Sequence, residues 1–280
     1  MRFRSLKKIL WKEEAVLPVI LVIGKTIAYY VLMNIVLPEL MNIGSPGYIF
    51  LRLLGLFLFS NIMSNMAMCM LVDPTVNPKQ LIPQFELRKN SNDWHECRKC
   101  EILAPPRSHH CRICQVCVLA RDHHCYFTAC CIGHRNYRFF FYLVFYTFFA
   151  SLISFIVSSI FWFVLQGGSY EFFEIHLIWI EIGIPVGKFA FVVLYILMLL
   201  VLVVSAWELY NRWPIIRYGA TYFEASSKNF LYDQGMRSNL EIFFGQRMHW
   251  TWISAFIPSQ LQHDGIHWRK TDGSKGDWTI

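Results

Sequence analysis

The chain has 280 residues, of which 55% are hydrophobic and 17% aromatic, and its mean hydropathy is +0.36. This composition excludes an ordinary soluble domain. The net charge of +7 is unevenly distributed along the chain, which indicates attraction to anionic lipid headgroups rather than to nucleic acid.

Four stretches are apolar for about 20 residues or more, the length that a helix needs to cross a bilayer core. The sequence therefore predicts an all-α polytopic membrane protein with four transmembrane helices. The predicted segments, in chain order, are a cytosolic N-terminus at 1–14, helices at 15–37 and 48–71, a cytosolic cysteine-rich domain at 72–138, helices at 139–165 and 186–210, and a cytosolic C-terminal region at 211–280.

The placement of Lys and Arg predicts the orientation of these helices. Five basic residues precede the first helix, ten lie from Lys79 to Arg138 and eight from Arg212 to Lys275, whereas the connections at 38–47 and 166–185 contain none. We therefore expect both termini and the cysteine-rich domain to face the cytosol.

Lys25 lies near the middle of the first predicted helix, where a charge costs about 2.5–3.5 kcal/mol. It is expected to face the bundle interior or a hydrated cavity. Its role is either packing there or a direct part in function.

The cysteine-rich domain holds eight of the nine cysteines of the chain. In a reducing cytosol such clusters indicate metal binding or catalysis rather than disulfides. Repeated C-x-x-C pairs with nearby histidines favour zinc, because the two-residue spacer lets both thiolates reach one tetrahedral ion. The pattern is Cys97-x2-Cys100-x9-His110-Cys111-x2-Cys114-x2-Cys117-x6-His124-Cys125-x5-Cys131.

Two closed sites of three cysteines and one histidine use six cysteines and leave two. The alternative is a single zinc ion with reduced bystander cysteines. A closed four-ligand site is structural and stabilises the fold by about 10–16 kcal/mol per ion in isolated finger peptides. Chemistry is then expected at an uncoordinated thiol.

Cys125 is the candidate, because it follows Asp122 and His123 in the chain. An imidazole can take the thiol proton, and a carboxylate can orient the imidazole. From spacing alone, however, a histidine beside a cysteine in such a module is more often a metal ligand than a base.

Several motifs in this part of the chain match those of a known enzyme family. The sequence from Cys97 to Phe140 resembles the cysteine-rich domain of the Asp-His-His-Cys (DHHC) protein S-acyltransferases, four-span zinc-containing enzymes that move palmitate from coenzyme A to protein cysteines. Its matching motifs are Pro106-Arg107-Ser108-His109-His110-Cys111, Asp122-His123-His124-Cys125 and Cys131-Ile132-Gly133-x2-Asn136. Thr221-Tyr222-Phe223-Glu224 and Asn239 with Phe244-Gly245 also match in order.

The resemblance implies the roles of individual residues. Cys125 is the acylated nucleophile, His123 is its base and Asp122 orients that base. Thr221, Glu224 and Asn239 give structural support. One structural zinc is implied at Cys97, Cys100, His110 and Cys117, and a second at Cys111, Cys114, His124 and Cys131.

The chain also departs from the family pattern. Tyr126-Phe127 stands where the family usually has Pro-Trp, Cys130 where it usually has Asn, Ala104 where a basic residue is common, and Tyr222 where it has a Thr thought to support the aspartate. These differences bear on turnover and acyl preference more than on reaction type. Cys130 is an auxiliary acyl acceptor, a replacement ligand or without a role, and His109 is either exposed or in contact with the site.

The implied reaction is a two-step transfer of a long-chain acyl group from acyl-CoA, through Cys125, to cysteines of membrane-associated proteins. A cavity between the helices, lined in part by the aromatic-rich third helix, is expected to hold the acyl chain; the alternative for those aromatics is contact with lipid. The expected location is an endomembrane, Golgi or ER. The alternatives are a catalytically weak or inactive zinc-stabilised membrane scaffold of the same family and, on zinc content alone, a RING-like ubiquitin ligase.

Overall fold

The computed structural model describes residues 2–4, 13–81, 94–165 and 186–271. Part of the basic N-terminal segment, part of the connector before Cys97, the connection at 166–185 and residues 272–280 lie outside the described residues. The predicted fold class is confirmed: the described part of the chain is mostly helical, and four helices in it are long and apolar enough to cross a membrane.

The four long helices have few charges, as the sequence indicates. Helix α1 occupies Val16–Leu40 and includes a π-helical stretch at Leu32–Val36; α2 is Pro46–Leu71; and Pro78–Leu81 forms the short α3. Helix α4 occupies Tyr137–Leu165 and α5 Val186–Arg217, with Pro214 inside its last turn. These bounds compare with predicted helices at 15–37, 48–71, 139–165 and 186–210.

The chain divides into two compact units. The cysteine-rich unit consists of Met1–Val19, Ser64–Tyr142 and Tyr210–Ile280, and the helical unit of Ile20–Met63 and Leu143–Leu209. The helical unit has a partly open cavity of about 370 Å³ to which all four long helices contribute. Lys25 lines this cavity, as do Thr147 and Ser151 of α4. The other α4 residues along the cavity are aliphatic or small, and its aromatic character comes from Tyr29 and Phe59, which stack at 4.6 Å.

The cysteine-rich unit contains three antiparallel hairpins of three-residue strands. They pair β1 (His95–Cys97) with β2 (Ile102–Ala104), β3 (His109–Cys111) with β4 (Val116–Val118), and β5 (His123–Cys125) with β6 (Cys130–Ile132). Each connection has four residues and ends in a left-handed backbone conformation, at Glu101, Gln115 and Ala129. This repeated geometry places a cysteine-bearing turn beside each of the first two strand pairs.

The C-terminal part of this unit follows the end of α5. It contains the short helices α6 (Tyr222–Ser226), α7 (Met236–Phe244) and α8 (Met248–Thr251). Asn239 of α7 is fully buried and donates from its side-chain amide to the carbonyl of Arg217 at 2.7 Å. Gly219 has a φ of +60° and lies so close to Asn239 that a Cβ there would be 2.6 Å from its amide oxygen. Asn239 therefore fixes the turn that leads from α5 to Thr221.

Candidate active site and metal centres

Two groups of four side chains bring their ligand atoms within 4.8 Å of one another. Site A consists of Cys97, Cys100, His110 and Cys117, and site B of Cys111, Cys114, His124 and Cys131. These are the two sets that the resemblance implies.

The spacing of the ligand atoms fits zinc. In site B, Nδ1 of His124 is 3.7, 3.3 and 3.6 Å from the three sulfurs, and two of the sulfurs are 3.7 Å apart. A tetrahedral ion with bonds of 2.0–2.3 Å separates its ligand atoms by roughly 3.3–3.8 Å. Each site can therefore hold one zinc ion as a closed, structural centre.

The hairpins explain the order in which the ligands of site A and site B follow one another along the chain. Site A takes two cysteines from the first hairpin and the cross-strand pair His110 and Cys117 from the second. Site B repeats the arrangement one hairpin later, with Cys111 and Cys114 from the second hairpin and the cross-strand pair His124 and Cys131 from the third. Successive side chains of a strand point to opposite faces, so adjacent residues such as His110 and Cys111 serve different ions.

A carboxylate lies behind the histidine of site B. Oε2 of Glu14 is 3.6 Å from Nε2 of His124, and both atoms are buried without a hydrogen-bond partner among the described residues. Coordination through Nδ1 leaves the proton on Nε2, where it faces this carboxylate. Such carboxylate–histidine contacts orient metal ligands in many zinc sites. No pattern in the sequence predicts this role for Glu14, which lies 110 residues away in the 3-10 turn Glu13–Ala15 that precedes α1.

The third hairpin also separates metal binding from the candidate chemistry. In β5, His124 points toward site B, so His123 and Cys125 point to the opposite face. Cys125 is 3% exposed and belongs to neither four-residue group. His123 hydrogen-bonds its thiol, and so does Thr128 from the 3-10 turn that follows. The thiol is thus free of metal and has an imidazole beside it.

Asp122 is buried and its carboxylate has three partners. One oxygen accepts from Nδ1 of His123 at 2.8 Å and from the guanidinium of Arg212 at 2.5 Å. The other oxygen accepts from the backbone N–H of Tyr222 at 2.8 Å. The bond to Nδ1 leaves Nε2 of His123 as the nitrogen that can exchange a proton with Cys125.

These contacts shift three pKa values. Burial raises the pKa of Asp122, but the hydrogen bond from His123 and the charge of Arg212 outweigh it and hold the pKa below its ordinary value. Burial lowers the pKa of His123, whereas its bonds to Asp122 and Cys125 raise it to about 9. Burial raises the pKa of Cys125, but the bonds from His123 and Thr128 bring it below the ordinary thiol value. The arrangement therefore favours a thiolate beside an imidazolium.

Thr221 and Glu224 position the N–H that Asp122 accepts. Thr221 precedes α6 and accepts from the backbone of Glu224, whose carboxylate accepts from the backbone of Thr221, which completes a capping box. The same carboxylate binds Arg107 at 2.9 and 2.5 Å. Arg107 is buried, and its guanidinium lies over the rings of Tyr232 and Trp268, at 4.6 and 4.1 Å from their centroids. This network holds the first turn of α6 against the third hairpin.

The substitution at 222 is accommodated because the backbone makes the contact. The Tyr222 ring is 50% exposed, and its N–H rather than its hydroxyl reaches Asp122. Tyr126 and Phe127 are exposed as well. His109 is exposed, with its ring 6.3 Å from that of Phe223.

Sequence reasoning missed Arg212, Thr128 and the Tyr222 N–H. Arg212 counted only as one of the basic residues that set orientation, although it ends an apolar run and its side chain is 5% exposed. A basic residue there is a weak signal for a buried partner. A backbone donor has no signal in the sequence.

Two comparisons with known proteins bear on this site. A family model described as DHHC palmitoyltransferase matches residues 90–229, which is half of the chain. The match includes all eight ligands of sites A and B, the Asp122–Cys125 stretch and Thr221 with Glu224. A search of curated proteins found no match.

Proposed function

Because the chain belongs to the DHHC palmitoyltransferase family, we propose that it is a protein S-acyltransferase with Cys125 as its nucleophile. The observation that supports this most directly is that Asp122 contacts His123 and His123 contacts Cys125, with His123 and Cys125 on the face of β5 that points away from site B. Zinc bound at sites A and B would have four protein ligands and no reactive position, and it would hold the three hairpins in place.

The first step is acylation of Cys125. Its thiolate attacks the thioester carbonyl of a long-chain acyl-CoA, and the carbon–sulfur bond to coenzyme A breaks. His123, held in its tautomer by Asp122, gives the departing thiolate a proton. The products are an acyl-enzyme and free coenzyme A.

The second step transfers the acyl group to a protein. His123 takes the proton of a substrate cysteine, the resulting thiolate attacks the acyl-enzyme, and Cys125 leaves as a thiolate. One thioester replaces another in each step, so no external energy source is required.

We propose that the cavity of the helical unit holds the acyl chain. Burial of each methylene stabilises by about 0.8 kcal/mol, so a sixteen-carbon chain gains on the order of 10 kcal/mol. The cavity has a mostly aliphatic lining of the kind that such a chain requires. The substrates are then cysteines of membrane-associated proteins, with the site and both termini in the cytosol and an endomembrane as the location.

The test is a label that depends on Cys125. Purified protein is incubated with an alkyne-bearing palmitoyl-CoA, and the label is read with and without hydroxylamine, which cleaves thioesters. We expect a hydroxylamine-sensitive label on the wild type and none on Cys125→Ser. A label that survives this change disproves the nucleophile assignment.

Cys69→Ser is the matched control, because Cys69 is also a buried thiol outside sites A and B. It should keep the label. Failure of the folded wild type to label with acyl-CoA of any chain length would favour the inactive scaffold instead.

A further inference from the structure

A second thiol stands directly opposite Cys125 in the third hairpin. Cys125 and Cys130 are cross-strand partners in the register of β5 and β6. Such partners have Cα atoms about 4.5–5.5 Å apart and side chains on the same face. Disulfides require Cα separations of about 4.4–6.8 Å. The backbone therefore already has the spacing that a bond between these two cysteines needs.

The surroundings of Cys130 place its sulfur close to Cys125. Cys130 is 2% exposed and, like Cys125, belongs to neither site A nor site B. Its sulfur lies 3.3 Å from the hydroxyl of Thr128, the same side chain that hydrogen-bonds the Cys125 thiol. It also lies 3.3 Å from the carbonyl oxygen of Cys69. The two thiols thus share one hydroxyl neighbour.

We propose that Cys130 is a resolving thiol that converts oxidised Cys125 into a reversible disulfide. The oxidant is a hydroperoxide such as hydrogen peroxide. The Cys125 thiolate attacks one peroxide oxygen, the O–O bond breaks and hydroxide leaves, so that sulfur is oxidised to a sulfenic acid. The Cys130 sulfur then attacks the Cys125 sulfur, the S–O bond breaks, and the Cys130 proton leaves with the hydroxide as water. A dithiol reductant returns both thiols.

The proposal rests on the proposed function, since a thiolate kept reactive for acyl transfer is also open to peroxide. Without a neighbouring thiol, a sulfenic acid can proceed to sulfinic and sulfonic acids, which thiol reductants do not reverse. With Cys130 opposite, the nucleophile is blocked but recoverable. The backbone register of the third hairpin already pairs the two residues.

The test uses the full-length protein, reduced and free of acyl-CoA, with limiting hydrogen peroxide. Trypsin cleavage after Arg121 and Arg135 releases a single peptide that contains both cysteines and Cys131. We expect this peptide to lose two hydrogens, with the bond mapped to Cys125 and Cys130 and with Cys131 free for alkylation. Dithiothreitol should restore both thiols. A bond from Cys125 to Cys69 or Cys131, or loss of zinc before any disulfide forms, would overturn the proposal.

Cys130→Ser and Cys130→Ala are compared with their own unoxidised samples. In both, we expect peroxide to drive Cys125 to sulfinic and sulfonic acids, with loss of the dithiothreitol-recoverable thiol, whereas Cys69→Ser should recover as the wild type does. Equal recovery in the wild type and the Cys130 variants would refute a resolving role. These readouts require no acyl transfer. A wild type that forms the disulfide but takes no acyl label therefore contradicts the proposed function and not this one.

Discussion

Replacement of Arg212 tests whether its ion pair with Asp122, at the end of α5, stabilises the folded protein. The two side chains are 5% and 1% exposed and form an ion pair at 2.5 Å. Removal of one partner from a buried pair costs about 3–5 kcal/mol, because the other charge stays out of water. Asp122 keeps its bonds to His123 and the Tyr222 N–H, and the imidazolium still offsets its charge. We therefore expect Arg212→Ala to lower the free energy of unfolding by about 3 kcal/mol, near the lower end of that range.

A loss of this size is measurable in the purified protein. For a chain of this size, about 3 kcal/mol corresponds to roughly 6–12 °C in Tm, which a thermal denaturation assay in detergent detects. Arg217→Ala is the matched control, since Arg217 ends the same helix but is exposed. It should shift Tm by only a few degrees.

A double-mutant cycle separates the ion pair from other effects of the arginine. In the Asp122→Asn background, Arg212→Ala should lose much less stability than in the wild type, because the charge that it stabilises is gone. The single variant should also lower the initial rate of Cys125 acylation, since Asp122 then holds His123 less firmly. Equal Tm losses for Arg212→Ala and Arg217→Ala, or additive losses in the cycle, would refute this reasoning.

Three further predictions concern other contacts. Tyr222→Pro removes the N–H that donates to Asp122, at a first helical position where proline is favoured. It should slow acylation and lower Tm by several degrees, because the buried carboxylate loses a donor, whereas Tyr222→Phe should change neither. A slow Phe variant would contradict the backbone contact. Glu14→Ala should release the zinc of site B to a chromogenic chelator about 10–100-fold faster than the wild type does, whereas release from site A should be unchanged. Equal acceleration at both sites would contradict a specific contact between Glu14 and His124. Burial holds the pKa of His134 at about 4, below its ordinary 6.5. The folded state therefore binds fewer protons than the unfolded state, and the free energy of unfolding falls as pH drops from 6.5 toward 4, by about 2 kcal/mol between pH 7 and 5. His134→Gln should show less of this loss, and a pH profile identical to that of the wild type would disprove it.

The features that the sequence predicted are those encoded by local spacing. Four apolar runs are visible without tertiary information, because a bilayer requires about 20 apolar residues in succession. The Cys/His module is visible for a similar reason, since each C-x-x-C pair and each hairpin lies within a few residues. Contacts between distant segments were not predicted. Arg212 is 90 residues from Asp122, the Tyr222 N–H is 100 residues away, and neither partner shows a spacing pattern.

The departure from the family pattern at position 222 also involves a contact between distant segments. At 222 the sequence shows a lost threonine hydroxyl, and the natural expectation is a weaker contact or one from the tyrosine hydroxyl. In the structure the donor is the main chain, which every residue except proline supplies. The capping box of Thr221 and Glu224 holds that N–H in place, and it depends on the two residues of the motif that the chain retains. The substituted position is thus the one whose side chain the contact does not use.

The difference between His123 and His124 depends on secondary structure. Two adjacent histidines are chemically equivalent in the sequence, and either can bind zinc or accept a proton. In a strand they point to opposite faces, and the pairing of His124 with Cys131 commits it to site B. His123 is then left on the face of Cys125 and next to Asp122. A one-residue shift in the pairing of β5 and β6 would exchange these faces, so the ligands of site B fix the register on which the candidate relay depends.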